Sequence, residues 1–235
     1  MLKPTFVQKF VRCESMRIAS SRSRELGLTS AEVLVIVAVV VLLTATVMFT
    51  VRNPRHGHSL VIRCVNNLKQ VGLAFRLFAE DHANRFPMQV STNEGGSMEF
   101  ATGSSAWRHF LTLSNDLFGP KILVCPADER SEATNFAALR DTHLSYFVNL
   151  DATTNYPAMV LAGDRNITNG LRPLEPVLFV SSNQTAEIGV GWTKGLHPLR
   201  GNVVLVDGSV QQTSSHALRK TLRDCGVPTN RFAVP

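Results

Sequence analysis

The stretch SRELGLTSAEVLVIVAVVVLLTATVMFTVRNPRHGH, residues 23–58, decides how the chain is organised. From Glu32 to Phe49 it carries no charge after its first residue, and only Thr44 and Thr46 interrupt its apolar character. The 24 residues from Leu28 to Val51 would span roughly 36 Å as a helix, enough to cross a bilayer. A cleaved secretory signal has a shorter apolar core and ends in small residues. Here the run is followed by RNPRHGH, whose charges, Pro54 and Gly57 end a membrane helix without offering such a site. A lipoprotein leader is excluded because Cys13 lies well before the run.

Working outward, the charge balance separates leader from body. The chain has 235 residues and a formal charge of +6. Residues 1–27 hold six basic side chains (Lys3, Lys9, Arg12, Arg17, Arg22, Arg24) against Glu14 and Glu25, a net of +4; the remaining 18 basic and 16 acidic groups leave +2. A body so near neutrality lacks the clustered cations that phosphate-backbone binding needs, so no nucleic-acid partner is expected. Six Lys and Arg before the span, against Arg52, Arg55 and Arg63 after it, predict a cytoplasmic N-terminus and a periplasmic body. Met16 is an alternative start that would give a shorter leader.

In front of the span a basic leader ends in Gly27, the apolar segment begins at once, and one acid, Glu32, is the fifth residue after the glycine. This pattern resembles the prepilin cleavage and methylation motif of type IV pilin-like proteins and type II secretion pseudopilins. Gly27, Thr29 and Glu32 match it. Leu28, Ser30 and Ala31 stand where the family usually has phenylalanine and bulky apolar residues. The resemblance implies a prepilin peptidase that cuts after Gly27 and methylates the new amino terminus at Leu28. It also implies assembly through the apolar helix, with other pilin or pseudopilin subunits and an inner-membrane platform as partners. An acid in an apolar span costs on the order of 2.5–3.5 kcal/mol unless paired. The expectation is that cleavage supplies the partner, an amino group four residues away, and that this pairing sets subunit register. The competing reading is a single-pass tether for a periplasmic binding or enzymatic domain, with Glu32 at the headgroup boundary and without a role.

Past the expected break over residues 52–58, Ser59 is a candidate N-cap for an amphipathic helix. Leu60, Cys64, Leu68, Val71, Phe75 and Phe78 recur at steps of four or three on one face, as a helix lying on a sheet requires. CVNNLKQVGLAFRLFAEDHANRFP, FPMQVSTNEGG, KILVCPADER and GNVVLVDGSVQ extend the resemblance over most of the chain, toward a Verrucomicrobia-like subgroup of prepilin-type proteins. The fold it implies is α+β and pilin-like: a long N-terminal membrane and amphipathic helix on an antiparallel β-sheet head. The expected organisation is a leader over 1–27, an assembly helix over 28–51, the break, and a head over 59–235.

KILVC, SYFV, AMVLAG, PVLFV, AEIGVGW and NVVLV read as short strands. NVVLVDGSVQQ reads as a hairpin with Asp207 and Gly208 in a type I′ turn. Ser215 is the expected cap of a last helix, HALRKTLRDCG, ended by Gly226 and Pro228.

No enzyme is expected: HExxH, GxSxG and the GxxxxGK[ST] phosphate loop are all absent from the sequence. GVGWTKG around Gly189 and Gly191 lacks dinucleotide-loop spacing and reads as strand and turn. No resident cofactor is expected either. Calcium is the one candidate ion, with Asp151, Asp164 and Asp207 as ligands, and each of them is also explained as a turn former. His197 is a candidate ligand or a hydrogen-bonded loop histidine. Trp107 and Trp192 are candidates for an aromatic contact surface, with core packing the favoured alternative. The sequons at Asn166 and Asn183 carry no assigned function. Cys64, Cys125 and Cys225 allow one disulfide in an exported body. Cys64–Cys125 is the favoured pair, and unbonded buried thiols are the alternative.

Overall fold

A computed structural model describes residues 28–52, 56–103, 105–170, 177–181 and 189–235. Two units separate at residues 53/54, one holding the first helix and the other all remaining elements. The chain is α+β, with an N-terminal apolar helix and a six-stranded antiparallel sheet.

Helix α1 (Ser30–Arg52) is long and apolar enough to cross a membrane, or to serve as a signal sequence. Its valine-rich run has only modest helix propensity in water, because β-branched side chains lose χ1 freedom. An apolar medium reverses that weakness, since a helix satisfies every backbone group within itself. The polar interruptions are likewise satisfied within the helix: the Thr44 and Thr46 hydroxyls donate to the carbonyls of Val41 and Leu43 at 2.9 and 2.8 Å. Every described side chain from Ser30 to Met48 is exposed, so the apolar surface is bare on all sides.

In the second unit, helix α2 (His56–Asp81) buries Cys64, Leu68, Val71, Ala74, Phe75, Phe78 and Ala79 and exposes Arg63, Lys69, Arg76 and Glu80. The predicted apolar face is thus the buried one. The helix begins earlier than the Ser59 cap predicted, because a glycine in the first turn does not stop a helix. Arg52 and residues 56–58 are helical, which narrows the expected break, and residues 53–55 lie outside the described residues. Ala83 and Asn84 end α2 in the left-handed region, with the Asn84 amide donating to Ala79 O at 2.8 Å.

Between α2 and the sheet the chain forms short 3-10 turns and one brief helix, α3 (Ala106–Leu111). KILVC, predicted as a strand, is a 3-10 turn over Pro120–Leu123. Pro120 fixes a turn-compatible φ and removes a ladder donor, and Ile122, Leu123 and Cys125 are buried in the α2 core cluster without alternating.

The sheet contains β1 (Tyr146–Asn149), β2 (Val160–Asp164), β4 (Val177–Ser181), β6 (Arg200–Leu205), β7 (Val210–Ser214) and β8 (Thr229–Ala233). Its order is β4-β8-β1-β2-β6-β7, and every neighbouring pair is antiparallel. A separate ribbon joins β3 (Ile167–Thr168) to β5 (Gly191–Trp192), so AEIGVGW contributes only its last two residues, and residues 186–188 lie outside the described ones. Helix α4 (Ser215–Asp224) follows β7.

Both faces of the sheet are covered. Tyr146, Val148, Leu161 and Val204 belong to the cluster that holds the α2 stripe, whereas Phe147, Val160, Val203, Leu205 and Phe232 pack with Leu218 and Leu222 of α4 and with Trp192. Successive strand residues point to opposite faces, which explains why β1 and β2 are buried at every position. Helix and sheet approach closely at Gly72, where a Cβ would lie 2.5 Å from Val204 Cγ2.

The β6–β7 hairpin differs from the predicted type I′ turn. Leu205 O accepts from Gly208 N at 2.9 Å, Leu205 N donates to Ser209 O at 2.9 Å, and of Asp207 and Gly208 only Gly208 has positive φ. This is a three-residue loop with glycine in the left-handed position, which needs one permissive residue where a type I′ turn needs two. The α4 cap is Ser214, whose hydroxyl accepts from Ala217 N at 3.3 Å. Ser215 Oγ instead accepts from Trp192 N at 2.9 Å.

His109 on α3 is fully buried, its Nδ1 2.7 Å from Ser97 Oγ. Burial pushes its pKa down to about 4, whereas the unfolded chain titrates near the ordinary value of about 6.5. Between those values the unfolded state binds a proton that the folded state does not, so stability falls as pH drops from 7 toward 4. Denaturant titrations across this range should show His109→Gln losing less stability than the parent, by up to about 3 kcal/mol.

Candidate functional site

The functional features predicted at the N-terminus converge on the first turn of α1. Gly27 lies outside the described residues. Leu28 is exposed, and Thr29 is the residue before the helix. Glu32 Oε2 accepts from the Thr29 amide at 2.8 Å and from the Thr29 hydroxyl at 2.9 Å, while Thr29 Oγ1 accepts from the Glu32 amide at 3.4 Å. This reciprocal capping box satisfies two of the donors that a helix start leaves orphaned. The negative carboxylate also faces the positive end of the helix dipole.

Thr29 thus gives the Glu32 carboxylate an intrachain partner besides the amino group expected from cleavage. The T-x-x-E spacing before an apolar run carried that signal in the sequence. One oxygen, Oε2, takes both bonds, so a second, charged donor could still engage the group.

In the head, Cys64 on α2 and Cys125 are disulfide-bonded, with Cα atoms 5.0 Å apart and a sequence separation of 61. Cys225 is free and buried, its thiol donating to Leu222 O at 3.2 Å. Cys13 lies outside the described residues.

The three aspartates proposed for calcium occupy different places. Asp151, in the β1–β2 loop, binds Arg231, accepting from its backbone amide at 2.8 Å and from its guanidinium at 2.9 and 2.6 Å. Asp207 accepts from Ser209 N at 2.8 Å within the hairpin turn, as a turn former does. Asp164 is fully buried at the end of β2, where Oδ2 accepts from Asn202 N at 2.7 Å and Asn202 Nδ2 at 2.8 Å. Burial pushes the Asp164 pKa up to about 7, against the opposing pull of the Asn202 donors. Among the described residues these carboxylates do not converge with one another; the one grouping of three ligand-type side chains is Cys64, Cys125 and His197.

His197 is buried in the loop before β6. Its Nε2 lies 3.5 Å from Cys125 Sγ and 3.6 Å from Asp164 Oδ2, and burial lowers its pKa. Asn166 holds this loop, donating from Nδ2 to Thr193 O, His197 O and Arg200 O. Its sequon is therefore occupied by a structural side chain; Asn183 lies outside the described residues. Beside this centre Asp128 receives two bonds from the Arg165 guanidinium, at 2.8 and 2.7 Å, and one from Ser145 Oγ at 2.7 Å. Sequence reasoning missed this ion pair, because nothing in the spacing of residues 128 and 165 marks them as neighbours.

The tryptophans form no shared surface. Trp192 is buried in the α4 cluster with Nε1 donating to Thr213 Oγ1 at 3.1 Å. Trp107 is half-buried against the other cluster, with the Arg108 and Arg140 guanidiniums 4.6 and 4.9 Å from its ring. At Gly191 a Cβ would lie 2.6 Å from Ser215 Oγ, so packing against α4 accounts for this glycine.

Closing a loop of this length by a disulfide contributes about 4 kcal/mol in the chain-entropy treatment. A Cys64→Ala/Cys125→Ala double variant should lose stability of that order, read from the denaturant midpoint of the detergent-solubilised chain. An unchanged midpoint would show that the bond does not restrain the native protein.

Compared with family models, with curated proteins and with solved structures, the chain has no match in any of the three.

Proposed function

We propose that the chain is a prepilin-type pseudopilin subunit, cleaved after Gly27, N-methylated at Leu28 and assembled through α1 into a type II secretion pseudopilus or a type IV pilus-like fibre. The observation that carries this reading is α1 itself: apolar on every side, with one capped carboxylate in its first turn, five residues after the glycine that ends a basic leader. A helix bare all round can be solvated by lipid in the monomer and by neighbouring α1 helices in a fibre. The pilin-like layout of the head is supported by α2 lying on an antiparallel sheet.

In this reading the protein sits in a bacterial inner membrane with its N-terminus cytoplasmic and its head periplasmic. The Cys64–Cys125 bond fits that placement, since disulfides persist in the periplasm and are rare in the cytosol. The partners are a prepilin peptidase, other pilin or pseudopilin subunits, the assembly platform and membrane lipid. No catalytic role is proposed.

The Thr29–Glu32 cap also favours a second reading. A carboxylate satisfied within its own chain needs no partner subunit, which suits a plain anchor that tethers a periplasmic binding or enzymatic domain.

Two measurements separate these readings. With a co-expressed prepilin peptidase, mass spectrometry of the mature chain should find an N-methylated Leu28 terminus; an uncleaved chain, or one cut elsewhere, overturns the pilin reading. Glu32→Ala should insert normally and fail to assemble. Glu32→Gln keeps an oxygen for the cap but removes the charge, and should fail equally if an ionic contact sets register. Wild-type fibre yield from Glu32→Gln would leave only the cap as the role of this residue.

A further inference from the structure

Cys64, Cys125, His197 and Asp164 come from four separate parts of the head: α2, the segment after the Pro120–Leu123 turn, the loop before β6, and the end of β2. The two sulfurs and a ring nitrogen of His197 all lie within 4.8 Å of one another, and all four residues are buried. We propose that these four side chains form a tetrahedral site for a zinc-type divalent cation, which the chain takes up when the two cysteines are reduced. The cation would replace the disulfide as the cross-link between α2 and the rest of the head.

Three of the six edges of the required tetrahedron can be located, the second through the neighbouring oxygen of the Asp164 carboxylate. With zinc–sulfur bonds near 2.3 Å and zinc–nitrogen or zinc–oxygen bonds near 2.0–2.2 Å, neighbouring ligand atoms stand about 3.3–3.7 Å apart. Cys125 Sγ and His197 Nε2 are 3.5 Å apart, and His197 Nε2 and Asp164 Oδ2 are 3.6 Å apart. The third edge, between the sulfurs, is closed into the covalent bond and opens on reduction. Both contacts meet at the same nitrogen, Nε2, as they must if that atom is to share a metal with the thiolate and the carboxylate.

An independent observation points to a missing ligand. Asp164 Oδ1 is buried without a hydrogen-bond partner, and so is Asn202 Oδ1 beside it. Buried polar atoms are rarely left unpaired. The Asn202 donors occupy Oδ2 and leave Oδ1 as the oxygen open to a metal, as outer-shell groups do for metal-bound carboxylates. His197 also lines a surface depression framed by Leu60, Val61, Leu196 and Pro198.

The exchange balances. A dithiol reductant gives two electrons and two protons to the Cys64–Cys125 bond and leaves as its own disulfide. On metal binding both thiols release their protons to solvent, as does the Asp164 carboxyl where it carries one, and neutral His197 supplies a lone pair. With four protein ligands and no open position, the arrangement is that of a structural site. The site stands independently of the fibre reading, because none of its residues lies on α1.

Cobalt(II) is the probe, added to the full chain in detergent after reduction by a phosphine. One cobalt per chain should bind, with intense tetrahedral ligand-field bands and a thiolate charge-transfer band, both lost on reoxidation. Cys64→Ser should lose much of the charge-transfer band. His197→Ala and Asp164→Asn should each weaken binding at least about tenfold. His197→Gln carries the same expectation should the alanine variant fail to fold. Absence of the thiolate band in the reduced chain, an octahedral spectrum, or affinity unchanged by the His197 and Asp164 substitutions would overturn the proposal.

Discussion

The head depends on the seam between α2 and the sheet. Here seven side chains of the helix are sealed from solvent, and Gly72 lets the helix backbone approach Val204 more closely than any side chain would permit. At roughly 25 cal/mol per Å² of apolar surface removed from water, a stripe of this size is the largest stabilising contribution the helix makes. Arg76 pins the hairpin end of the same helix, donating to Asp207 O at 2.7 Å. The Cys64–Cys125 bond ties it to the turn that follows Gly119. Hydrophobic burial sets the orientation of α2, and these polar and covalent restraints fix its register.

The polar centre beside this seam is held by a different balance. Asp164 is enclosed by groups that donate to one of its oxygens and leave the other bare. Asp128, a short distance away in the fold, is fully engaged by Arg165 and Ser145. Burial acts on both carboxyls, yet their pKa values move in opposite directions, because only Asp128 has a cation against it. The fold therefore places a carboxyl whose pKa burial raises, an imidazole whose pKa burial lowers and the two sulfurs of the disulfide close together in the interior of the head.

What was legible in the sequence was whatever carried a period or a local turn signal. The α2 face could be read because apolar residues at steps of three and four leave one alternative only. The β6–β7 hairpin was visible from Asp207-Gly208, although the loop is one residue longer than the predicted turn. KILVC was misread because its apolar run is buried all round and so has no alternation to distinguish turn from strand. β8 was missed because Thr229, Asn230 and Arg231 look like loop residues; Asn230 is buried with a bond from Asn149 Nδ2, and the half-buried Arg231 is held by Asp151. Of the candidate site residues, Glu32 stood out as the one acid of the apolar run, whereas its cap went unread although Thr29 stands three residues before it. The proximity of His197 to Cys125 was not legible, since their contact spans 72 residues and depends on the finished sheet.

The position of β8 has a kinetic consequence. This last strand lies between β4 and β1, in the interior of the sheet, so the ladder cannot be completed until Ala233 has arrived. Its pairings with Val148 and Val177 join residues far apart along the chain, and contacts of that kind form slowly because loop-closure entropy is lost before they repay it. The order of events in time thus reverses the order of position in space: the pairing at the interior of the sheet is the one finished last.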